Sequence, residues 1–213
     1  MRNRETEGKL PISDLKATRR RLGELGFRPT HRRSLEDNFL FDTPDRALRK
    51  VRSILRLRHY GGQWIVTFKG TPAADPLYKS RLEFETAVES PAAVRSIFQA
   101  LGFHPVFRYQ KFRSHYEPAD RKTIRRKNPR REKRSPWLPV HMEIAVDETP
   151  IGNYVEIEGS RGAIDRVARA LGYAKTDYST FSYGALYLED CRKKGIPPGD
   201  MVFPYVSPRS KRT

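Results

Sequence analysis

The chain has 213 residues, 37 % of them hydrophobic, a formal net charge of +17 and a single cysteine, Cys191. That length supports one substantial core, a lone cysteine excludes an internal disulfide, and no apolar run reaches the length of a membrane span. With no signal-peptide core at the start, a soluble cytoplasmic protein is expected, and the excess of positive charge makes a polyanion an expected partner.

The first predicted element is a strand at Glu5-Thr6-Glu7-Gly8-Lys9, whose alternation puts Glu5, Glu7 and Lys9 on one face. Two adjacent carboxylates suit a hard divalent cation, and the lysine beside them suits a phosphate oxygen. Ser13 is the expected N-cap of a helix through Leu15, Leu22 and Leu25, stopped by Gly26. A strand over 37–43 runs into the turn Thr43-Pro44-Asp45. Residues 51–60 and 63–69 form a hairpin across Gly61-Gly62, with Arg56 and Arg58 on one face and Leu55 and Leu57 on the other. The strand 79–88 sets Arg81, Glu83 and Glu85 against Leu82 and Phe84. Ser90-Pro91 opens a helix carrying Val94, Ile97, Phe98 and Leu101, stopped by Gly102. The strand 105–116 then aligns Lys111 and Arg113 around Phe112.

Residues 121–134 hold nine cations and one anion and read as a solvated basic loop within an insert at 119–138. Without interleaved aromatic residues, this loop offers at most a weak contact to nucleic acid or another polyanion. Strands at 140–148 and 153–159 follow, the second setting Glu156 and Glu158 against Val155 and Ile157. A helix carries Ile164, Val167, Ala168 and Leu171 up to Gly172, and another spans about 179–189. One domain over 1–190 and a basic, Pro-containing tail over 191–213 is the expected organisation.

The strands number eight, enough to close a small antiparallel barrel in an α+β fold. Five of them, those carrying Glu5, Arg56, Arg81, Lys111 and Glu156, are apolar on one face and charged on the other, which leaves two orientations open. The charges could face bulk water around an apolar centre, or face inward with helices covering an apolar exterior. The charged faces consist of Glu, Arg and Lys in like-signed doublets, and carboxylates about 5 Å apart at an effective dielectric near 20 repel by about 3 kcal/mol. Metal ions between the Glu pairs and a polyphosphate between the Arg and Lys pairs would relieve that repulsion, which favours the inward orientation. Other chemistries lack support: the chain has no G-x-x-x-x-G-K-[ST] loop and no G-x-S-x-G elbow. Its five histidines lack metal-ligand spacing and read as surface or packing residues, and Cys191 reads as a packing residue.

Five stretches in order, ETEGK, FDTPDRALRK with ILRLR, WIVTFKG, KSRLEFE and DETPIGNYVEIEG, resemble the CYTH superfamily of triphosphate tunnel metalloenzymes. YSTFSYGALYLE is similar to the C-terminal helix of its bacterial members. The resemblance covers roughly residues 1–190. It implies an eight-stranded tunnel with a charged interior, exterior helices, and Mg²⁺ or Mn²⁺ as cofactor. By motif position, Glu5, Glu7, Glu156 and Glu158 would be the main metal ligands, assisted by Glu83, Glu85 and Asp147. Lys9, Arg56, Arg58, Lys69, Arg81, Lys111 and Arg113 would line the triphosphate path, with Lys9 also a candidate catalytic residue. The implied activity is metal-dependent hydrolysis of inorganic, thiamine or nucleoside triphosphate by a monomer or homodimer. The alternatives are a class IV adenylyl cyclase, which converts ATP to cyclic AMP and pyrophosphate, and a non-enzymatic polyphosphate- or RNA-binding module. Several phosphohydrolase members pair the opening lysine with a tyrosine where this chain has Leu40. A tyrosine-assisted mechanism therefore does not carry over, and Lys9 is left as a phosphate clamp or lone base.

Overall fold

A computed structural model describes residues 4–119 and 142–204. The basic stretch 121–134 lies outside the described residues. The strands are β1 (Arg4–Ile12), β2 (Phe27–Asp42), β3 (Ile54–Tyr60), β4 (Gln63–Lys69), β5 (Lys79–Val88), β6 (His104–Pro118), β7 (Glu143–Thr149) and β8 (Gly152–Glu158). They close into one antiparallel barrel in the order β1-β5-β4-β3-β2-β6-β7-β8. β1 completes the ring, pairing Glu5 with Arg81 of β5 and Glu7 with Glu158 of β8. The β3–β4 hairpin turns on Gly61 and Gly62, at φ 59° and 80°, positive values that a two-residue hairpin turn requires at both positions.

The helices α1 (Leu15–Glu24), α2 (Ala47–Lys50), α3 (Pro91–Ala100), α4 (Arg161–Ala170) and α5 (Tyr183–Lys194) lie outside the barrel. Asp14, not Ser13, caps α1, its carboxylate accepting from the Ala17 amide at 2.8 Å. β2 starts ten residues before the expected position because it pairs with β6 from Phe27 to Asp42. Its first half, interrupted by Pro29 and by bulges, has no apolar alternation to announce it. The C-terminal helix begins at Tyr183, with the Ser182 hydroxyl accepting from the Ala185 amide, and runs on to Lys194. Beyond it, Met201 bonds in both directions to β6, through Gln110 and Arg108. Within the expected tail, Asp200, Met201 and Phe203 bond to β6, while residues 192–199 stay exposed.

The hydrophobic core is not at the barrel centre. Leu10 and Ile12 of β1, Ile144 and Val146 of β7, and Val155 and Ile157 of β8 face outward and bury against Leu22 of α1 and Ile164 and Val167 of α4. A second cluster of Tyr109, Tyr183 and Met201, with Leu40, Phe107 and Tyr154 against it, fills one end of the barrel. α3 covers less: Phe98 meets Phe41 with ring centroids 5.0 Å apart, while Ile97 and Leu101 stay exposed. The expected helical cover is absent over β4 and β5 among the described residues, where Phe68, Leu82 and Phe84 remain exposed. No helix of the described residues is long and apolar enough to cross a membrane.

Gly8 marks a close contact of α4 on β1. A Cβ there would lie 2.8 Å from Cγ2 of Ile164, a fully buried side chain with nowhere to retreat. Gly8→Ala is expected to destabilise the fold by about 1–3 kcal/mol. Thermal unfolding measures it, and a Tm equal to that of the wild type would mean that α4 is not seated on β1 at this point.

Candidate active site

Alternation along each strand brings the charged side chains to one common interior. β1 contributes Glu5, Glu7 and Lys9; β3 contributes Arg56 and Arg58; β4 contributes Thr67 and Lys69. From β5 come Lys79, Arg81, Glu83 and Glu85. Glu36 and Asn38 of β2, Lys111 and Arg113 of β6, Asp147 of β7, and Glu156 and Glu158 of β8 complete the ring. Most of these are buried: Lys9 and Lys111 are 2 % exposed, and Glu36 and Asp147 not at all. The inward orientation of the charged faces is the one the chain adopts.

Toward the filled end the groups form a dense ionic network. Arg113 binds Asp147 through both carboxylate oxygens, at 2.7 and 2.5 Å, and also contacts Glu156. Lys111 Nζ lies 3.1 Å from Asp147 and 3.4 Å from Glu36. Arg58 reaches Glu36 at 3.3 Å and Glu85 at 3.0 Å. Burial works against ionisation of Glu36, but Lys111, Arg113, Arg58 and Arg56 outweigh it and hold this carboxyl well below the usual range. Glu156 is likewise desolvated and held low, chiefly by Arg113 and Lys9.

Lys9 Nζ sits 3.2 Å from Glu156, donates to the Phe181 carbonyl at 2.9 Å and lies 4.0 Å from the centroid of the Tyr183 ring. The Tyr183 hydroxyl donates to Asp147 at 2.6 Å. The tyrosine beside Lys9 therefore comes from α5, while Leu40 packs within the aromatic cluster at the filled end.

At the opposite pole the charge is acidic. A cavity of about 30 Å³ is lined by Glu5, Glu7, Glu143, Glu156 and Glu158, together with Ala145 and Arg113. Glu5 pairs with Lys69 at 2.7 Å and Glu7 with Lys79 at 3.1 Å. Burial and a hydrogen bond to Glu83 push the Glu5 carboxyl up, against Lys69. Glu158 has no ion-pair partner among the described residues. Partial burial, with Glu5 and Glu143 beside it, pushes its carboxyl up to about 8. Lys79 moves the other way, down to about 8, because burial outweighs the attraction of Glu7 and Lys9 and Arg81 repel it.

The residues picked out by sequence divide accordingly. Glu5, Glu7, Glu156 and Glu158 converge on the cavity, and Glu83 reaches it through Glu5 and Lys69. Glu85 is drawn to Arg58, Arg56 and Thr67, and Asp147 is enclosed by Lys111, Arg113 and Tyr183, so neither lines the cavity. No compact group of three or more His, Cys, Asp or Glu side chains forms a ready-made metal site among the described residues. The cation side gathers Lys9, Arg56, Arg58, Lys69, Lys111 and Arg113, while Arg81 is buried without an ion pair among the described residues. Glu36, Lys79, Glu143 and Tyr183 escaped notice in the sequence. Lys79 stands two residues before Arg81 and so follows from alternation, whereas Glu36 stands one residue before the expected start of β2 and Tyr183 arrives on a helix.

Residues 3–180 match the CYTH domain family model, and the chain belongs to the CYTH domain family. A protein of Methanocaldococcus jannaschii named "Putative adenylate cyclase" is 35 % identical over 116 residues, 54 % of this chain. The match spans 65 % of that relative's length. A Vibrio parahaemolyticus structure of the same description superposes with a TM-score of 0.68 at 16 % identity, covering 85 % of this chain and 96 % of that one. A Hippeastrum structure, described as a "putative adenylyl cyclase" revealing a dominant triphosphatase activity, gives 0.55 at 18 % identity over 91 % and 97 %. These structural likenesses show a shared fold.

The raised Glu158 carboxyl has a pH consequence. The folded chain holds this proton more tightly than the unfolded chain does, so its contribution is fully present below the ordinary carboxylate range. It is lost as pH rises from about 4.5 through about 8. Part of the Glu158 side chain reaches solvent at the rim of the cavity, so salt and water weaken the effect. Without added metal, the wild type is expected to lose stability across this window more steeply than Glu158→Gln does, as read from Tm against pH; parallel profiles would refute the assignment. Asp147→Ala, which takes a buried partner from Lys111, Arg113 and Tyr183 and leaves the two cations to share Glu36 and Glu156, is expected to cost about 3 kcal/mol in denaturant unfolding.

Proposed function

We propose that this protein is a divalent-metal-dependent triphosphatase that hydrolyses a phosphoanhydride bond of a triphosphate drawn into the barrel. The observation that carries this reading is the polarity of one interior. Glu5, Glu7, Glu156 and Glu158 face a small cavity, and Arg113 stands at its wall, continuous with Lys111, Arg58 and Arg56. The donor set at the cavity is all carboxylate oxygen, which suits Mg²⁺ or Mn²⁺. Glu158, raised by its neighbours and without a cation partner among the described residues, fits such an ion. Glu5, Glu7, Glu156 and Glu158 would hold it, with Glu143 beside them. When bound, the ion neutralises charge on the transferring phosphoryl group.

The chain's own residues supply the rest. Arg113, Lys111, Arg56 and Arg58 bind and orient the phosphate oxygens, exchanging part of their contact to Glu36, Asp147 and Glu85 for the substrate. Lys9, pinned between Glu156, the Phe181 carbonyl and the Tyr183 ring, is a fixed positive charge at the deep end of the path. Water attacks the terminal phosphorus, the bond to the bridging oxygen breaks, and the water's proton passes to a nearby base. Lys79 Nζ, its affinity for a proton reduced by burial, lies 3.1 Å from Glu7 beside the cavity.

A cyclase reading is favoured by the name of the 35 %-identical relative. There the ribose 3′-hydroxyl of ATP attacks the α-phosphorus and pyrophosphate leaves.

Tripolyphosphate, thiamine triphosphate and ATP are to be offered with Mg²⁺ or Mn²⁺, and phosphate and cyclic AMP followed. Phosphate release that chelation abolishes is expected. Glu7→Ala and Glu158→Ala should each lower turnover by at least about 100-fold while unfolding cooperatively. Undiminished turnover in both variants would refute the site, and cyclic AMP as main product would favour the cyclase. Binding that survives chelation without turnover and falls steeply with salt would instead indicate a non-enzymatic polyanion binder.

A further inference from the structure

We infer that the Tyr60 hydroxyl is a further substrate-binding group, donating a hydrogen bond to a phosphate oxygen of a polyphosphate lying between Arg58 and Arg113. The inference rests on the polyphosphate reading of the barrel given above. Tyr60 is the last residue of β3 and follows Arg56 and Arg58 at two-residue spacing, so its side chain shares their inward face. Its ring is held by His31, with centroids 4.7 Å apart, and by His115 at 5.7 Å. The Arg58 guanidinium carbon lies 5.8 Å from the same ring.

These contacts account for the ring and leave the hydroxyl unexplained. The hydroxyl oxygen is buried and makes no hydrogen bond among the described residues. A phenylalanine would fill the same space, and a buried hydroxyl without a partner is a net cost to a fold. The unpartnered buried side-chain atoms among the described residues are Glu36 Oε1, Asn38 Oδ1, Arg56 Nε, Arg58 Nε and the Tyr60 hydroxyl. All lie on the neighbouring strands β2 and β3, where Asn38 pairs with Arg58. Glu36 Oε1 still has the charge of Lys111 at 3.4 Å. Arg56 Nε, Arg58 Nε and the Tyr60 hydroxyl are three donors along one strand face, spanning about 13 Å at the rise of a β-strand. A row of donors left open in a cationic interior matches an extended anion with several oxygens. Burial pushes the phenol well above its ordinary value, against Arg113, so the group stays a donor across the physiological range.

The test uses the full chain, with tripolyphosphate as the probe. Calorimetric titration with and without Mg²⁺ compares wild type with Tyr60→Phe, and thermal unfolding without polyphosphate compares their stability. We expect Tyr60→Phe to weaken tripolyphosphate binding about tenfold, as loss of one hydrogen bond to a charged oxygen does. Its Tm should equal or exceed that of the wild type. Equal affinity of the two proteins overturns the inference, and so does a lower Tm for the variant, which would give the hydroxyl a partner within the fold. If the wild type binds tripolyphosphate and the variant binds it equally, only the role of Tyr60 fails. If the wild type does not bind it at all, the polyphosphate reading fails as well.

Discussion

Glu36 under Lys111, Arg113 and Arg58 is the contact on which the interior turns. A carboxylate with no solvent exposure is tolerable only when cations crowd it, and cations buried at this depth need it in return. The same exchange recurs around the ring in Asp147 with Arg113, Glu85 with Arg58, and Glu5 with Lys69. An eight-stranded barrel is narrow enough to be filled by side chains alone, and apolar ones would serve stability at least as well. A charged filling therefore has to be understood through what the charges can bind.

Because the charges are inside, the apolar faces are outside, and the core sits between barrel wall and helices. This inverts the usual sandwich or small barrel and explains why α1 and α4 pack so closely on β1, β7 and β8. The C-terminal segment acts differently. Tyr183 enters the aromatic cluster at one end and touches both Lys9 and Asp147, so a helix outside the barrel helps to set the deep end of the site. The acidic pole at the other end keeps its carboxylates close without enough cations to quiet them all, and Glu158 registers the deficit.

The repulsion of like-signed doublets, which pointed inward at the level of sequence, is largely relieved by the protein itself. Lys69 reaches both Glu5 and Glu83, Lys79 reaches Glu7, and Arg58 reaches Glu85. Apart from Lys69 with Glu83 on the next strand, these partners come from strands that are not consecutive in the chain, so no local pattern could pair them. Among the described residues, Glu158 and Arg81 keep no ion pair and the open polar atoms lie on β2 and β3, a more specific location than the doublets suggested.

The period-two alternation of Glu5, Glu7 and Lys9, of Arg56 and Arg58, and of Glu156 and Glu158 was enough to define the charged faces of β1, β3 and β8 and most of the cavity's lining. Alternation is a local property of extended backbone, and it survives whatever the chain does elsewhere. The length of β2, the source of the tyrosine beside Lys9 and the placement of Glu36 and Tyr60 were decided by tertiary structure. So was the separation of Asp147 and Glu85 from the acidic cavity, because electrostatic partners are chosen across the barrel by distance and not by position along the chain.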